Sequence, residues 1–213
     1  MTEDDHARAD LLAVLNTEYF VLQGASGASI SESSSRSSLY LFTLSSALVS
    51  LGFVLGASED VFGPFAAAAL STVFVLGWFT VARLIDTSVE NIRALRGMAR
   101  IRRYYADLTP LAAPFFAVTG DEGADSLSML GVRSVRWSYI GTMASMIGTV
   151  NAVVGGSGVA LLAGGAGVGL PVAIALGVVA AVILAVLVVA AQGARFRAEF
   201  PQASTLASTD EPN

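Results

Sequence analysis

Four stretches of this chain contain no charged residue, at residues 39–57, 61–82, 137–162 and 171–192. Each runs to about 20 residues, the length a helix needs to cross a hydrocarbon layer about 30 Å thick. No charge-free run of that length is needed in a soluble core of this size, and 54% of the 213 residues are hydrophobic. The expected fold class is therefore all-α: an integral membrane protein with four transmembrane helices. Only Ser58, Glu59 and Asp60 separate the first two stretches, and only residues 163–170 separate the last two. That spacing predicts two helical hairpins joined by one long loop.

The arginines orient this plan. All twelve positive charges are Arg, with none Lys. Arg8 and Arg36 precede the first span, Arg195 and Arg197 follow the fourth, and the other eight lie between the hairpins. Neither short loop holds one. Positive charge is retained on cytoplasmic flanks, so both termini and the long loop are expected in the cytoplasm, with the chain in a bacterial inner membrane. Tyr40, Trp78, Phe79, Trp137 and Tyr139 stand near span edges, where amphipathic rings favour the interface. Residues 1–10 carry Glu3, Asp4, Asp5 and Asp10, so they lack the basic and apolar regions of a signal peptide, and the first span is expected to target the chain.

Outside the spans, Leu12, Leu15, Tyr19 and Leu22 recur at three- and four-residue spacing, which predicts an amphipathic helix over 5–23. Small residues at 24–29 and serines at 31–38 then read either as a flexible linker or as a helical lead-in; Glu32 and Arg36, four apart, favour the helix. Over 83–107, Ile85, Val89, Ile92, Leu95, Met98 and Ile101 keep helical spacing, so the second span is expected to continue into the cytoplasm until Pro110 and Pro114 end it. Residues 119–126 read as an acidic loop, 128–135 as a lead into the third span, and the tail from Phe200 as disordered. The domain layout is thus a helical lead-in (1–38), hairpin 1 (39–82), a cytoplasmic helical extension and loop (83–136), hairpin 2 (137–192) and a tail (193–213).

Several chemistries lack their residues. Cysteine is absent and the one histidine, His6, sits in the acidic start, so no zinc or haem ligand set exists and no cofactor is expected. No serine has a histidine partner for nucleophilic catalysis, and Asp86 with Glu90 has no second set of metal ligands, so an enzyme is not expected. A net charge of −5 argues against a nucleic-acid partner. The spans hold no Asp, Glu, His or Arg, the groups that proton relays and coupled carriers use. Their polar residues, Thr43, Ser45, Ser46, Ser50, Ser71, Thr72, Ser145 and Asn151, are expected to bond between helices, with a water-lined path along Asn151 as the other reading. Gly52 with Gly56, and Gly141, Ser145 and Gly148, form small-residue ridges able to pack within one chain or between copies in a homo-oligomer. The glycines of residues 164–169 lack the strand and Lys-Ser/Thr of a phosphate loop, which excludes a nucleotide there.

Arg100, Arg102, Arg103, Tyr104 and Tyr105 form the one cluster with binding chemistry. Guanidinium groups grip phosphate bidentately and tyrosine rings stack on bases, which fits an anionic nucleotide. The same residues fit a plainer role, arginines on anionic lipid headgroups and tyrosines covering the apolar helix face.

The segment Leu15-Asn16-Thr17-Glu18-Tyr19-Phe20-Val21-Leu22-Gln23, a Ser-rich lead into a first hairpin and the Arg100–Tyr105 cluster together give a layout over residues 1–105. That layout resembles the transmembrane effectors of cyclic-nucleotide antiphage systems of actinobacteria, the Pycsar transmembrane type. Four spans with a central loop depart from the simplest two-span plan. The resemblance implies a protein switched on by a cyclic nucleotide that assembles in the membrane and impairs its integrity; it carries over no binding residue. Competing expectations are a constitutive channel or transporter, or an accessory subunit of a membrane complex.

Overall fold

A computed structural model describes residues 3–57, 59–109, 111 and 143–199. Among them are four α-helices and no strand: α1 (Glu3–Ala57), α2 (Glu59–Leu108), α3 (Met143–Gly165) and α4 (Leu170–Glu199). All four are long and apolar enough to cross a membrane. The loop at 119–126, the lead at 128–135, Gly141 and the tail from Phe200 lie outside the described residues.

α1 is one helix of 55 residues, so the stretch at 24–38 is helical rather than a linker. At 1.5 Å per residue it is about 80 Å long, far more than a span requires. The reason this serine-rich stretch stays helical lies in its burial pattern. Leu12, Leu15, Tyr19, Leu22, Ser26, Ser29, Ser33, Ser37, Tyr40, Leu44, Ala47 and Leu51 are buried or half-buried and recur every three or four residues, with Glu32, Thr43 and Val54 half-buried beside them. Such spacing makes a continuous stripe along one face of a helix. Serine occupies that stripe where large side chains are missing, so helix formation there depends on packing rather than propensity.

α2 runs 50 residues and carries Pro64 near its start. The expected three-residue gap before it is shorter, because the helix resumes at Glu59. It ends at Leu108, two residues before Pro110, the place a proline-terminated helix stops. Of the face predicted from spacing, Ile85, Val89, Met98 and Ile101 are buried and Ile92 and Leu95 half-buried.

α3 runs past the expected end at 162 into part of the glycine run, its expected first residues 137–142 lying outside the described residues, and α4 extends beyond 171–192 at both ends. The turn between them is built by hydrogen bonds from Val168 N to Ala163 O (3.1 Å) and from Gly167 N to Gly164 O (3.0 Å). This six-to-one and five-to-two pair is a Schellman cap, which needs a left-handed residue at its fifth position. Gly167 supplies it, with φ of +84°. Gly169 O then accepts from the N–H groups of Val172 and Ala173, both at 3.0 Å, and starts α4. The glycines act as a structural turn, with Pro171 in the first turn of α4, where its missing N–H costs nothing.

The chain divides into two compact units, one of Met1–Glu32 and Thr87–Trp137, the other of Ser33–Asp86 and Ser138–Asn213. In the second, Tyr40, Val73, Leu84, Ala144, Ile147 and Val188 form a buried apolar core. The α3–α4 contact there is glycine-made. A Cβ added at Gly177 would lie 2.7 Å from Gly156 O, one at Gly156 would lie 2.8 Å from Ala181 Cβ, and one at Gly148 would lie 2.6 Å from a Val188 methyl. Pairing 148 with 188 and 156 with 177 makes the two helices antiparallel over this stretch.

Candidate functional site

The arginine–tyrosine cluster sits on the last turns of α2, in the first unit. α1 meets it there in antiparallel fashion. Ser26 Oγ donates to Asn91 Oδ1 at 2.6 Å, and Tyr105 donates its hydroxyl to Leu12 O at 3.2 Å. Arg102 donates twice to Tyr19 Oη, through Nη2 at 2.6 Å and Nε at 3.2 Å. Its guanidinium carbon also stands 5.5 Å from the Tyr19 ring centre, within cation–π range. Leu22 packs on Gly97, where a side chain would collide with the leucine methyl at 2.7 Å.

These contacts divide the five residues predicted as one site. Arg102 and Tyr105 are half-buried and bind α1, while Arg100 and Arg103 are exposed. Tyr104 is half-buried, with its ring centre 6.4 Å from that of Tyr105 at 61°. A helix puts 100 and 103 on one face and 102 and 105 on the next, which is why a contiguous run separates in this way. Spacing alone missed Tyr19 as the partner of Arg102; the signal available was its place on the apolar stripe of α1. Upstream on α2, burial lowers the pKa of the Arg96 guanidinium below its usual value, since the charged form loses water.

The second unit contains a different polar feature. Asn151 is buried on α3, accepts a hydrogen bond from Tyr40 Oη at 3.2 Å and donates to Phe74 O at 3.2 Å. Gly77 makes the space, because any Cβ there would collide with the Asn151 amide and the Tyr40 ring. Three helices thus meet at one amide. Closed between these partners, Asn151 serves packing, in keeping with the first of its two readings. Three of the other residues bond within their own helix instead: Thr43, Ser50 and Thr72 donate to the carbonyls of Leu39, Ser46 and Ala68 four residues back, each at 2.9 Å. A hydroxyl on a helix surface satisfies itself this way without a neighbour. Gly52 and Gly56 have no atom within 4 Å of an added Cβ, so that ridge has no partner among the described residues.

Asp86 lies 3.5 Å from Arg195 as an exposed ion pair between α2 and α4. Among the described residues no three His, Cys, Asp or Glu side chains are grouped to hold a metal. Among the described residues the architecture is all-helical, with four membrane-length apolar helices. In comparison with known proteins, the chain matches no family model, no curated protein and no solved structure.

Proposed function

We propose that this protein is a non-enzymatic membrane effector of bacterial antiphage defence, with its termini in the cytoplasm, that responds to an anionic cyclic nucleotide by changing the packing of its helices and impairing the membrane. The observation that carries this reading is the continuity of α1 and α2. Each is a single helix from its polar segment into its apolar stretch. A ligand phosphate engaging exposed Arg100 and Arg103 next to the Tyr19–Arg102 contact would compete for the guanidinium that ties α1 to α2. The spans are suited to respond, since helix contacts made of glycine and alanine are small and alternative packings differ by about a few kcal/mol.

The test is membrane potential and growth in cells expressing the chain together with cyclases that make a panel of cyclic nucleotides. Depolarisation with one messenger, lost when Arg100 and Arg103 are changed together to Gln, is the expected result. An inserted protein that leaves the potential unchanged with every messenger overturns the reading.

A further inference from the structure

α2 and α3 enclose a cleft of about 510 Å³ in the second unit. Its lining runs from Phe62 to Phe74 on α2 and from Val154 to Leu162 on α3, with Leu184 of α4. Among the described residues Ser71 is its one side-chain polar group; the rest is hydrocarbon, aromatic ring or glycine. Leu162 is 68% exposed, so the cleft opens to the surroundings.

We propose that this cleft binds one acyl chain of a membrane phospholipid, from the leaflet at the Ser58 and Gly167 end of the helices. The inference rests on the membrane reading above, and three observations select the occupant. Length is the first: at 1.5 Å rise per residue the lining extends about 18 Å along α2 and about 12 Å along α3, and one leaflet of a 30 Å hydrocarbon core is about 15 Å deep. Bulk is the second. A helix about 10 Å across has a cross-section near 80 Å², so the cleft volume would hold only about one turn of a second copy. Charge is the third: among the described residues no cation lines the cleft, and the charge nearest its end along α2 is the acidic Asp60, so a free fatty acid carboxylate finds no partner there while a phospholipid keeps its headgroup in the interface.

The test uses the full chain reconstituted in bilayers containing a phospholipid with a diazirine in one acyl chain. After illumination, mass spectrometry is expected to place adducts on residues 62–74 and 154–162 several-fold above those on Ile174 and Val178, which are exposed on α4. Gly158→Leu and, separately, Gly63→Leu fill the cleft. Neither added Cβ meets an atom within 4 Å, and each substitution is expected to reduce the labelling to the α4 level. Even labelling of cleft and α4 in a chain that resists alkaline extraction overturns the acyl site alone. Crosslinks between copies across the cleft overturn it in favour of a second chain. Release of the chain by alkaline extraction overturns it together with the membrane reading.

Discussion

Two helix contacts among the described residues are made from different materials. Where α1 meets α2 in the first unit, side chains reach across: Ser26 to Asn91, Tyr19 to Arg102, Tyr105 to the Leu12 carbonyl. Where α3 meets α4 in the second, the side chains are missing, and Gly156, Gly177 and Gly148 bring backbone against backbone or methyl. Water around a helix pair makes apolar burial favourable, so polar reach-over contacts can be added at the margin. In a bilayer, hydrocarbon outside a helix pair is as good a neighbour as hydrocarbon inside, and close van der Waals approach has to supply the association there. The α1 stretch belongs to neither type. Only 6% of its apolar window is buried, against 33% for α2 and for α3.

The comparison is broken most severely at the glycine contact. Gly156→Leu forces a side chain into Ala181 and the Gly177 carbonyl, and is expected to cost about 3 kcal/mol by overpacking, read as a lowered unfolding midpoint in detergent. Gly158→Leu, two residues away in open space, is the control and should leave the midpoint nearly unchanged.

The three-helix amide comes next. Asn151→Ala leaves the Tyr40 hydroxyl buried without its acceptor, an expected loss of about 2 kcal/mol. Adding Tyr40→Phe to that variant removes the stranded hydroxyl and should recover part of the loss. Strict additivity of the two changes would mean the hydrogen bond is not the coupling between these positions.

Smaller effects are expected where the contact is half-buried or exposed. Tyr19→Phe removes the hydroxyl that Arg102 donates to but keeps the ring for cation–π contact, so about 1 kcal/mol is expected, measured by the same unfolding midpoint. Arg195→Gln breaks an ion pair whose side chains are 66% and 43% exposed, and should change stability by less than about 0.5 kcal/mol, with the difference shrinking in high salt. A larger loss for Arg195 than for Gly156 would reverse the order of the two kinds of contact.

How much of this was legible in the sequence differs between helix and contact. The four membrane-length helices, the extension of α2 as far as Leu108 and the predicted faces of both polar segments follow from charge-free length and three-to-four spacing. Those signals are local, because charge exclusion and helical periodicity act on residues within a few turns of one another. The serine stretch at 31–38 sat on the margin, since its residues have no strong preference and the stripe on α1 depends on what lies opposite.

The contacts themselves were decided only by tertiary structure. Gly52 with Gly56 and Gly148 with Ser145 look equally suited to close packing, yet the first pair stands open and Gly148 meets Val188. Arg100, Arg102 and Arg103 are chemically equivalent in the sequence, and only Arg102 reaches Tyr19, 83 residues away. Tyr40 and Asn151 are separated by 111 residues. A residue type fixes what a position is able to bond or exclude, and hydropathy fixes which segments become apolar helices. Which capable residues meet depends on the angle and register at which whole helices pack, and those are set by the summed fit of many small side chains rather than by any one of them.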